Sequence, residues 1–572
     1  MRNLILSCLL ILTSCVCLTA CKDDSAGLPR LFRPSFIASS CYAEGNSITL
    51  AWRTSAEPTS YTVELSESSS FPEDGGMDQV VSGNKCVFTN LKYETVYYAR
   101  VRANNEAMGL TSNWTVYETS ITTLSRTIPK LLYPVDEMTI TESSAWLEWT
   151  GDGDANPVDG VMLWTEDEWD ADAPGTYRAL SSSELADKAC RLTGLTPRTV
   201  YYVSLWNSAA QEGAENYNEQ RFKTGGMPQG AISVMDGADL YAKIKEGMAD
   251  GTRSELVFCL QNGQDYYLNE QGTSDGKTST ISLTKSIALL ANPGEHPTLY
   301  VREGGFQVGT NPQIDYFVVE NVDVEENKSE TSRGSKTYLF GVGKRSAGND
   351  FTIDRFEIRN SFIKLPTGVI MMNESNDGVA TINHIRIDDC LVTGINDTKY
   401  VSKPFGFIHA PKKGGDVWHD VEVSNSTFYE FYISPGIFGS LEEGASVAGG
   451  GKVSVSNCTF YNWATQKASN TIIGNFSKIT SSLDITVTGC VFGLNAGKVL
   501  EAGTCVVTGG NNYCTSGFEQ LSNAGVTLVA MDCSDDELFR NPESGDYTIM
   551  DTSSVVYMQE YGDPRWIMIN GN

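Results

Sequence analysis

The chain has 572 residues and a mass of 62.4 kDa, which at about 100–200 residues per domain implies several folding units. Hydrophobic residues make up 41% and charged ones 20%, with 10 Trp, 25 Tyr and 22 Phe, enough apolar material to exclude disorder as the main state. Asp and Glu number 71 against 42 Lys and Arg, and the net charge of −29 repels a phosphate backbone, which argues against nucleic acid as a partner.

Met1 and Arg2 precede an apolar run from Leu4 to Leu18, shorter than the ~20 residues that span a bilayer as a helix and of the length of a secretory signal core. The run ends in Leu18-Thr19-Ala20-Cys21, which resembles the bacterial lipobox. That resemblance implies a signal peptide over 1–20, lipid attachment at Cys21 and a tether over 21–35. Lys22-Asp23-Asp24 in turn resembles the short signal that sends lipoproteins to the outer face of the outer membrane in one glycan-degrading Gram-negative phylum. The expected location is therefore the outer membrane, lipid-anchored and facing outward. Loss of Arg2 with the leader leaves 41 basic and 71 acidic residues, a net charge of −30. Ten of the 14 cysteines remain once Cys8, Cys15 and Cys17 are removed and Cys21 is acylated. They are scattered, without a CxxC pair to suggest zinc or redox chemistry, and an oxidising periplasm permits disulfides without demanding them.

Leu91, Tyr93, Thr95 and Tyr97 recur 104 residues later as Leu195, Pro197, Thr199 and Tyr201, an internal duplication. Each copy follows an alternating strand that holds Trp (Ile48 to Trp52, Trp146 to Trp149) and precedes a second β-rich run (Val96 to Ala103, Val200 to Trp206), a pattern that predicts sandwiches. The Leu-x-Pro-x-Thr-x-Tyr motif resembles fibronectin type III, with Tyr93 in place of the usual Pro in the first copy. The resemblance implies one domain over 36–125 and another over 126–226, with a Tyr hydroxyl pinning the corner in each. Such modules are expected to act as spacers; Trp164 and Trp169, in an acidic stretch, are the exceptions, because a Trp face can stack on a sugar ring.

From Asp250 the texture changes to short Val, Ile and Phe strands separated by Gly, Asn and Ser. A unit recurs with its turn residue at Asn360, Asp389, Asn425, Asn457 and Gly489, at periods of 29, 36, 32 and 32. There are further β-runs and no helical heptads between these turns, so the unit predicts a parallel β-helix over 227–572. Coils stacked at ~4.8 Å are expected to align the turn residues into a hydrogen-bonded ladder. Phe362, Leu391, Phe428, Phe460 and Phe492 are expected to form an inner column, and Ser361, Cys390, Ser426, Cys458 and Cys490 a small-residue one. Cys458 and Cys490 are the pair that neighbouring coils bring within disulfide reach. A short helix over 237–248 is expected to cap the open end. The region resembles the pectate-lyase-like right-handed β-helix superfamily. Leu256-Val257-Phe258 to Gly263, Ser286 to Ala291 and Pro297-Thr298-Leu299 are similar to the first coils of uncharacterised β-helix domains of surface lipoproteins. Leu538 to Pro542 and Gly562 to Trp566 are similar to their terminal segment. The fold class expected is all-β, two fibronectin type III-like sandwiches followed by a right-handed parallel β-helix.

A polysaccharide lyase needs a base for the proton α to a uronate carboxylate and a cation to stabilise the developing charge. Groove strands expected near 337–343, 367–373, 404–410, 433–439 and 470–476 place Lys344, Arg345, His409, Lys412 and Lys413 in the following turns as catalytic candidates. Glu374 and Asp377 are candidates for binding, or for holding Ca²⁺; the blander reading of the same patch, solvated loops, is preferred. Asp388 and Asp389 lie on the repeat's own turn and are expected to continue the ladder. Tyr429 and Phe431 recur as Tyr461 and Trp463, with Trp418 nearby, either a sugar-stacking strip or core packing. Three functions stay open: a surface lipoprotein that binds polysaccharide, pectin-like polyuronates included, in a glycan-uptake system; a polysaccharide lyase acting by β-elimination; and an adhesive or structural surface protein. Binding is preferred because no complete catalytic set is found, so the chain is not assigned as an enzyme. Ca²⁺ is the one cofactor considered, and polysaccharide, the outer membrane and glycan-uptake proteins are the expected partners.

Overall fold

The computed structural model describes residues 30–54, 57–73, 76–151, 156–211, 213–273, 280–301, 305–308, 312–326, 338–342, 350–372, 379–395, 406–409, 417–431, 436–439, 447–463, 471–479, 483–520 and 526–567. They fall into two compact units, one reaching Ile128 and including Ser208–Asn216, the other comprising Pro129–Asn207 and the residues from Tyr217 onward.

The first unit is a sandwich. Ser47–Arg53 pairs antiparallel with Ser35–Phe36, Tyr42–Glu44 and Lys85–Phe88, and Ser60–Ser66 pairs with Gly76–Val81 and Val96–Asn105. In Val96–Asn105 every second residue is buried, as in a strand with one wet face. Trp52 and Leu50 from one sheet meet Tyr61 and Val63 from the other in the core.

The second sandwich opens the other unit, with Ser144–Glu148 paired to Ala189–Thr193 and Gly160–Thr165 paired to both Thr176–Ala179 and Val200–Trp206. The duplicated motif builds a duplicated corner. Tyr97 accepts a hydrogen bond at its hydroxyl from the Lys92 N–H at 3.1 Å, and Tyr201 accepts one from the Thr196 N–H at 2.9 Å. The N–H groups of Thr95 and Thr199 donate to the hydroxyls of Thr123 and Thr224 at 3.0 and 2.9 Å. Between them Glu94 and Arg198 both take left-handed backbone, φ 47° and 56°.

From Ile232 to Ala530 the described strands form one continuous parallel system of 27, a β-helix. Its first coil is covered by a 3₁₀ turn, Gly237–Asp239, that runs into the helix Leu240–Ala249. This helix buries Leu240, Tyr241 and Ile244 in the solenoid core, the capping role expected of it. The expected groove strands are short. Phe340–Val342, Ile370–Met372, Ile408–His409, Phe438–Gly439 and Thr471–Asn475 pair in that order.

The turn ladder is conformational as much as it is hydrogen-bonded. Asn360, Asp389, Asn425, Asn457 and Gly489 all have left-handed backbone, with φ from 44° to 67°, a region that Gly, Asn and Asp enter most cheaply. The N–H groups of Asn425, Asn457 and Gly489 donate to the carbonyls of Ser456, Thr488 and Gly510 on the next coil. Asn360 Nδ2 donates to Asn321 Oδ1 at 3.0 Å, while Asn425 Nδ2 donates to Asp388 rather than Asp389. Asn321 and Asn511, φ 57° and 56°, extend the ladder at both ends.

The inner column differs from expectation. Leu391 pairs with Thr427, and Val392 with Phe428, so the column that points inward is Ile363, Val392, Phe428, Phe460 and Phe492. Phe362 and Leu391 are only half-buried, facing outward. The coils at Asn425 and Asn457 carry one more residue between the turn and the aromatic than those at Asn360 and Asp389, and a one-residue shift reverses the face. The rings of Phe428, Phe460 and Phe492 stack at centroid distances of 5.5 and 4.9 Å. Cys390, Cys458 and Cys490 are buried, and all ten described cysteines, this column included, are free thiols.

Candidate functional site

Among the catalytic candidates, Lys344, Arg345, Lys412 and Lys413 lie outside the described residues, as do Glu374, Asp377 and Cys21. His409 ends its strand beside Met371 and Gly439, where Nδ1 accepts from the Gly406 N–H at 3.3 Å. That bond leaves the ring proton of the neutral form on Nε2.

The aromatic strip resolves largely into core. Trp418 and Phe431 are fully buried within the solenoid, Trp418 with its ring 5.5 Å from Phe438. Tyr461 belongs to a separate apolar cluster with Phe539, Tyr547 and Val556 of the C-terminal segment, against which half-buried Tyr429 packs. Trp463 pairs with Asn495 through its backbone. The rings of Trp418, Tyr429, Phe431 and Tyr461 do not form one exposed stacking strip, because residues of one strand alternate between the interior and the surface that the C-terminal segment covers; the Trp463 side chain lies outside the described ones.

Asp388 and Asp389 are not a free acid pair either. They lie where the second sandwich meets the solenoid, a junction that sequence reading missed. Glu320, Arg359, Asp388 and Ser424 stand in register on four successive coils. Against this row the sandwich sets Arg198 and Lys223, 3.4 and 2.7 Å from Glu320, and Arg221, 3.4 Å from Asp388. Burial works against the charges of Glu320 and Asp388, yet Lys223 and Arg198 beside one and Arg221 and Arg386 beside the other hold both below the usual carboxylate range. His296 bridges Asp323 at 3.2 Å and Glu137 of the sandwich at 3.4 Å; these two hydrogen bonds raise its pKa to about 9. Asn360 Nδ2 also donates to Glu137, at 2.8 Å. On the far side Arg565 of the C-terminal segment reaches Asp389 at 2.5 Å. A cavity of about 90 Å³ remains among Glu137, Arg221, Lys223, Glu320, Arg359 and Asp388. Each of these cations has a carboxylate partner. The chemistry of the junction is adhesion between two parts of one chain, and the second sandwich is a fixed element of the solenoid rather than a free spacer.

An aromatic face stands out on the same sandwich. In Gly160–Thr165 and Val200–Trp206, Val161, Val203 and Leu205 point into the core, so Trp164, Tyr202 and Trp206 project from the opposite face. Trp164 lies across the ladder from Tyr202. Thr165 then caps the helical turn Glu166–Asp170 in a reciprocal box with Glu168, which folds Trp169 back over the sheet. Trp169 stacks on Tyr202 at 4.6 Å and 10°, and meets Trp164 edge-on at 5.2 Å; Trp206 is 6.5 Å from Trp164. Gly175 makes room for this, since a Cβ there would fall 2.5 Å from the Trp164 indole. All four rings are half-buried, and Glu166, Asp170 and Arg221 lie near the Tyr202 hydroxyl, whose pKa is raised first by burial. The face thus brings planar rings together with carboxylates and a guanidinium, groups that can stack and hydrogen-bond.

The fibronectin type III domain profile matches residues 34–118, and a domain of unknown function, DUF5123, matches residues 453–566, the last coils and the C-terminal segment. Among solved structures, the FN1–FN3 domains of chicken CNTN1 are 19% identical, covering 35% of this chain and 68% of theirs, with a TM-score of 0.14. The fn3 domain of the human collagen alpha-1(XX) chain is 18% identical, covering 18% and 94%, with a TM-score of 0.14. A two-domain fibronectin type III segment of chicken tenascin is 17% identical, covering 34% and 100%, with a TM-score of 0.19. No curated protein matches the chain. The fibronectin type III domain indicates a surface or adhesive-type extracellular protein.

Proposed function

We propose that the protein is a lipid-anchored component of the outer face of the outer membrane that binds polysaccharide within a glycan-utilisation system. The observation that carries the binding half of this reading is the aromatic face of the second sandwich, where Trp164, Trp169, Tyr202 and Trp206 are left half-open beside Glu166 and Arg221. The lipobox-like Leu18-Thr19-Ala20-Cys21 and the Lys22-Asp23-Asp24 that follows support the location.

Retention of the mature chain on affinity gels that carry neutral glycans or polyuronates tests the binding. Trp169→Ala is expected to weaken retention up to about tenfold, the scale of one aromatic contact; retention unchanged by Trp169→Ala and Trp164→Ala rejects this face. Polyuronates incubated with the chain and Ca²⁺ test the alternative, since unsaturated product absorbing in the ultraviolet, lost in Arg345→Ala or Lys412→Ala, would replace binding with lyase chemistry. Neither retention nor product would leave the adhesive role. In whole cells external protease is expected to remove the protein, and Cys21→Ala to release it from the membrane; protection of the wild type would reject the outward-facing location.

A further inference from the structure

On the polysaccharide-binding reading, we propose that a second subsite, for one uncharged hexopyranose ring, lies where the C-terminal segment packs on the last coils of the solenoid. A cavity of about 250 Å³ opens there, lined by Glu430, Tyr461, Asn462, Leu494, Pro542, Glu543 and Tyr547. It is smaller than the ~300–1,000 Å³ typical of pockets for drug-sized ligands, a size for a single ring.

Two independent observations mark it as built for a ligand. Tyr461 and Tyr547 retain only 4% and 1% of their surface, their rings 5.1 Å apart at 51°, held from behind by Phe539 and Trp566. Neither hydroxyl has a hydrogen-bond partner among the described residues, and neither is sealed from solvent. Both hydroxyls therefore reach the cavity, where they can donate to a ligand in place of water. The second observation is strain. Glu430 and Asn462, one coil apart, have left-handed backbone with φ 54° and 51°. Asn tolerates that region but Glu does so at a cost of about 1–2 kcal/mol, and this backbone carries the Glu430 carboxylate on the cavity wall.

The lining selects the ligand class. Glu430, Glu543, the Asn462 amide and two phenols offer acceptors and donors to sugar hydroxyls, and the tyrosine rings offer an apolar surface. No cation is among the lining residues, and Asp535 and Asp536 add negative charge near Tyr461. A uronate carboxylate would meet like charge here, so the subsite is for neutral sugar.

Titration calorimetry of the mature chain with cellohexaose, mannohexaose, β-1,4-galactohexaose, hexagalacturonate and CaCl₂ tests this, using the wild type, Tyr547→Phe, Tyr461→Phe, Glu430→Asn and Trp169→Ala. At least one neutral hexaose is expected to bind, about fivefold more weakly in either Tyr→Phe variant and about tenfold or more in Glu430→Asn. Both changes keep the fold, since Phe preserves the packing and Asn suits the left-handed backbone, and thermal melts verify it. No binding of any hexaose by the wild type overturns the polysaccharide-binding reading and the subsite with it. Binding lost in Trp169→Ala but unchanged within twofold in the three cavity variants overturns the subsite alone. Preference for hexagalacturonate, or heat from CaCl₂ that vanishes in Glu430→Asn, overturns the neutral-sugar class.

Discussion

Replacing Glu320 by Gln keeps the shape of the junction between second sandwich and solenoid and deletes one charge. In the wild type that carboxylate lies nearly sealed between Lys223 at 2.7 Å and Arg198 at 3.4 Å, with Arg359 on the next coil. Without it three cations face one another. Breaking a buried pair costs about 3–5 kcal/mol; the lower end applies because the Lys223 side chain keeps 23% of its surface and reaches water. Two amides that bridge the junction report its opening directly: the Gly226 N–H donates to Asn292 Oδ1 at 3.2 Å and the Gly294 N–H to Glu137 Oε2 at 3.0 Å. A loss of about 3 kcal/mol speeds their hydrogen exchange by about 100-fold, while amides inside the solenoid stay protected. Adding Lys223→Met to Glu320→Gln is expected to recover most of the protection, because the pair is then removed rather than broken. Exchange within threefold of wild type in Glu320→Gln would refute the claim that buried charge holds the two parts together.

The His296 bridge is expected to make the same amides pH-sensitive. Its folded pKa of about 9 lies above the ordinary value near 6.5, so its contribution is complete below about 6.5 and is lost as pH rises through 9; referenced to free-amide rates, His296→Gln should flatten that dependence. Asn495 is buried in the column of Phe431 and Phe518 with neither amide atom hydrogen-bonded, so Asn495→Leu should stabilise by about 1–2 kcal/mol, read as a raised melting temperature. Phe460→Ala, which empties a place between two stacked rings, should cost about 3–5 kcal/mol, and Phe362→Ala clearly less in urea unfolding. Equal costs would put Phe362 in the inner column after all.

The backbone of the solenoid is readable because its turns demand a special conformation. Asn360, Asp389, Asn425, Asn457 and Gly489 announce left-handed positions by residue type, whatever lies between them. Asn321 and Asn511 escape at spacings of 39 and 22, although Val319-Glu320-Asn321 repeats the pattern of Ile358-Arg359-Asn360. Which face an aromatic takes is harder to read, as Phe362 shows, since one added residue after a turn exchanges inside for outside. The junction is harder still. Lys223 with Glu320 and Arg221 with Asp388 join residues about a hundred or more positions apart, and in a chain that is 20% charged no local pattern tells a paired ion from a solvated one. Trp164 and Trp169 are legible as a pair, but Tyr202 and Trp206 join them only through strand register.

The spacing of the solenoid strands has a consequence for how such a chain can change. Seven residues separate Met372 from Ala380, His409 from Val417, Gly439 from Val447 and Asn475 from Leu483. At the other corner the intervals vary: five residues from Lys364 to Ile370, 14 from Thr393 to Ile408, six from Phe431 to Phe438 and seven from Trp463 to Thr471. Over these four coils the first interval keeps one length while the second varies, as expected when loop length is thermodynamically cheap and strand register is not; three further residues enter at the start of Val447–Ser456, where the register against Trp418 and Asp420 shifts. The stack tolerates these differences in length, and the 14-residue interval from Thr393 to Ile408, the longest of the four, makes 394–407 the natural place to graft a foreign peptide.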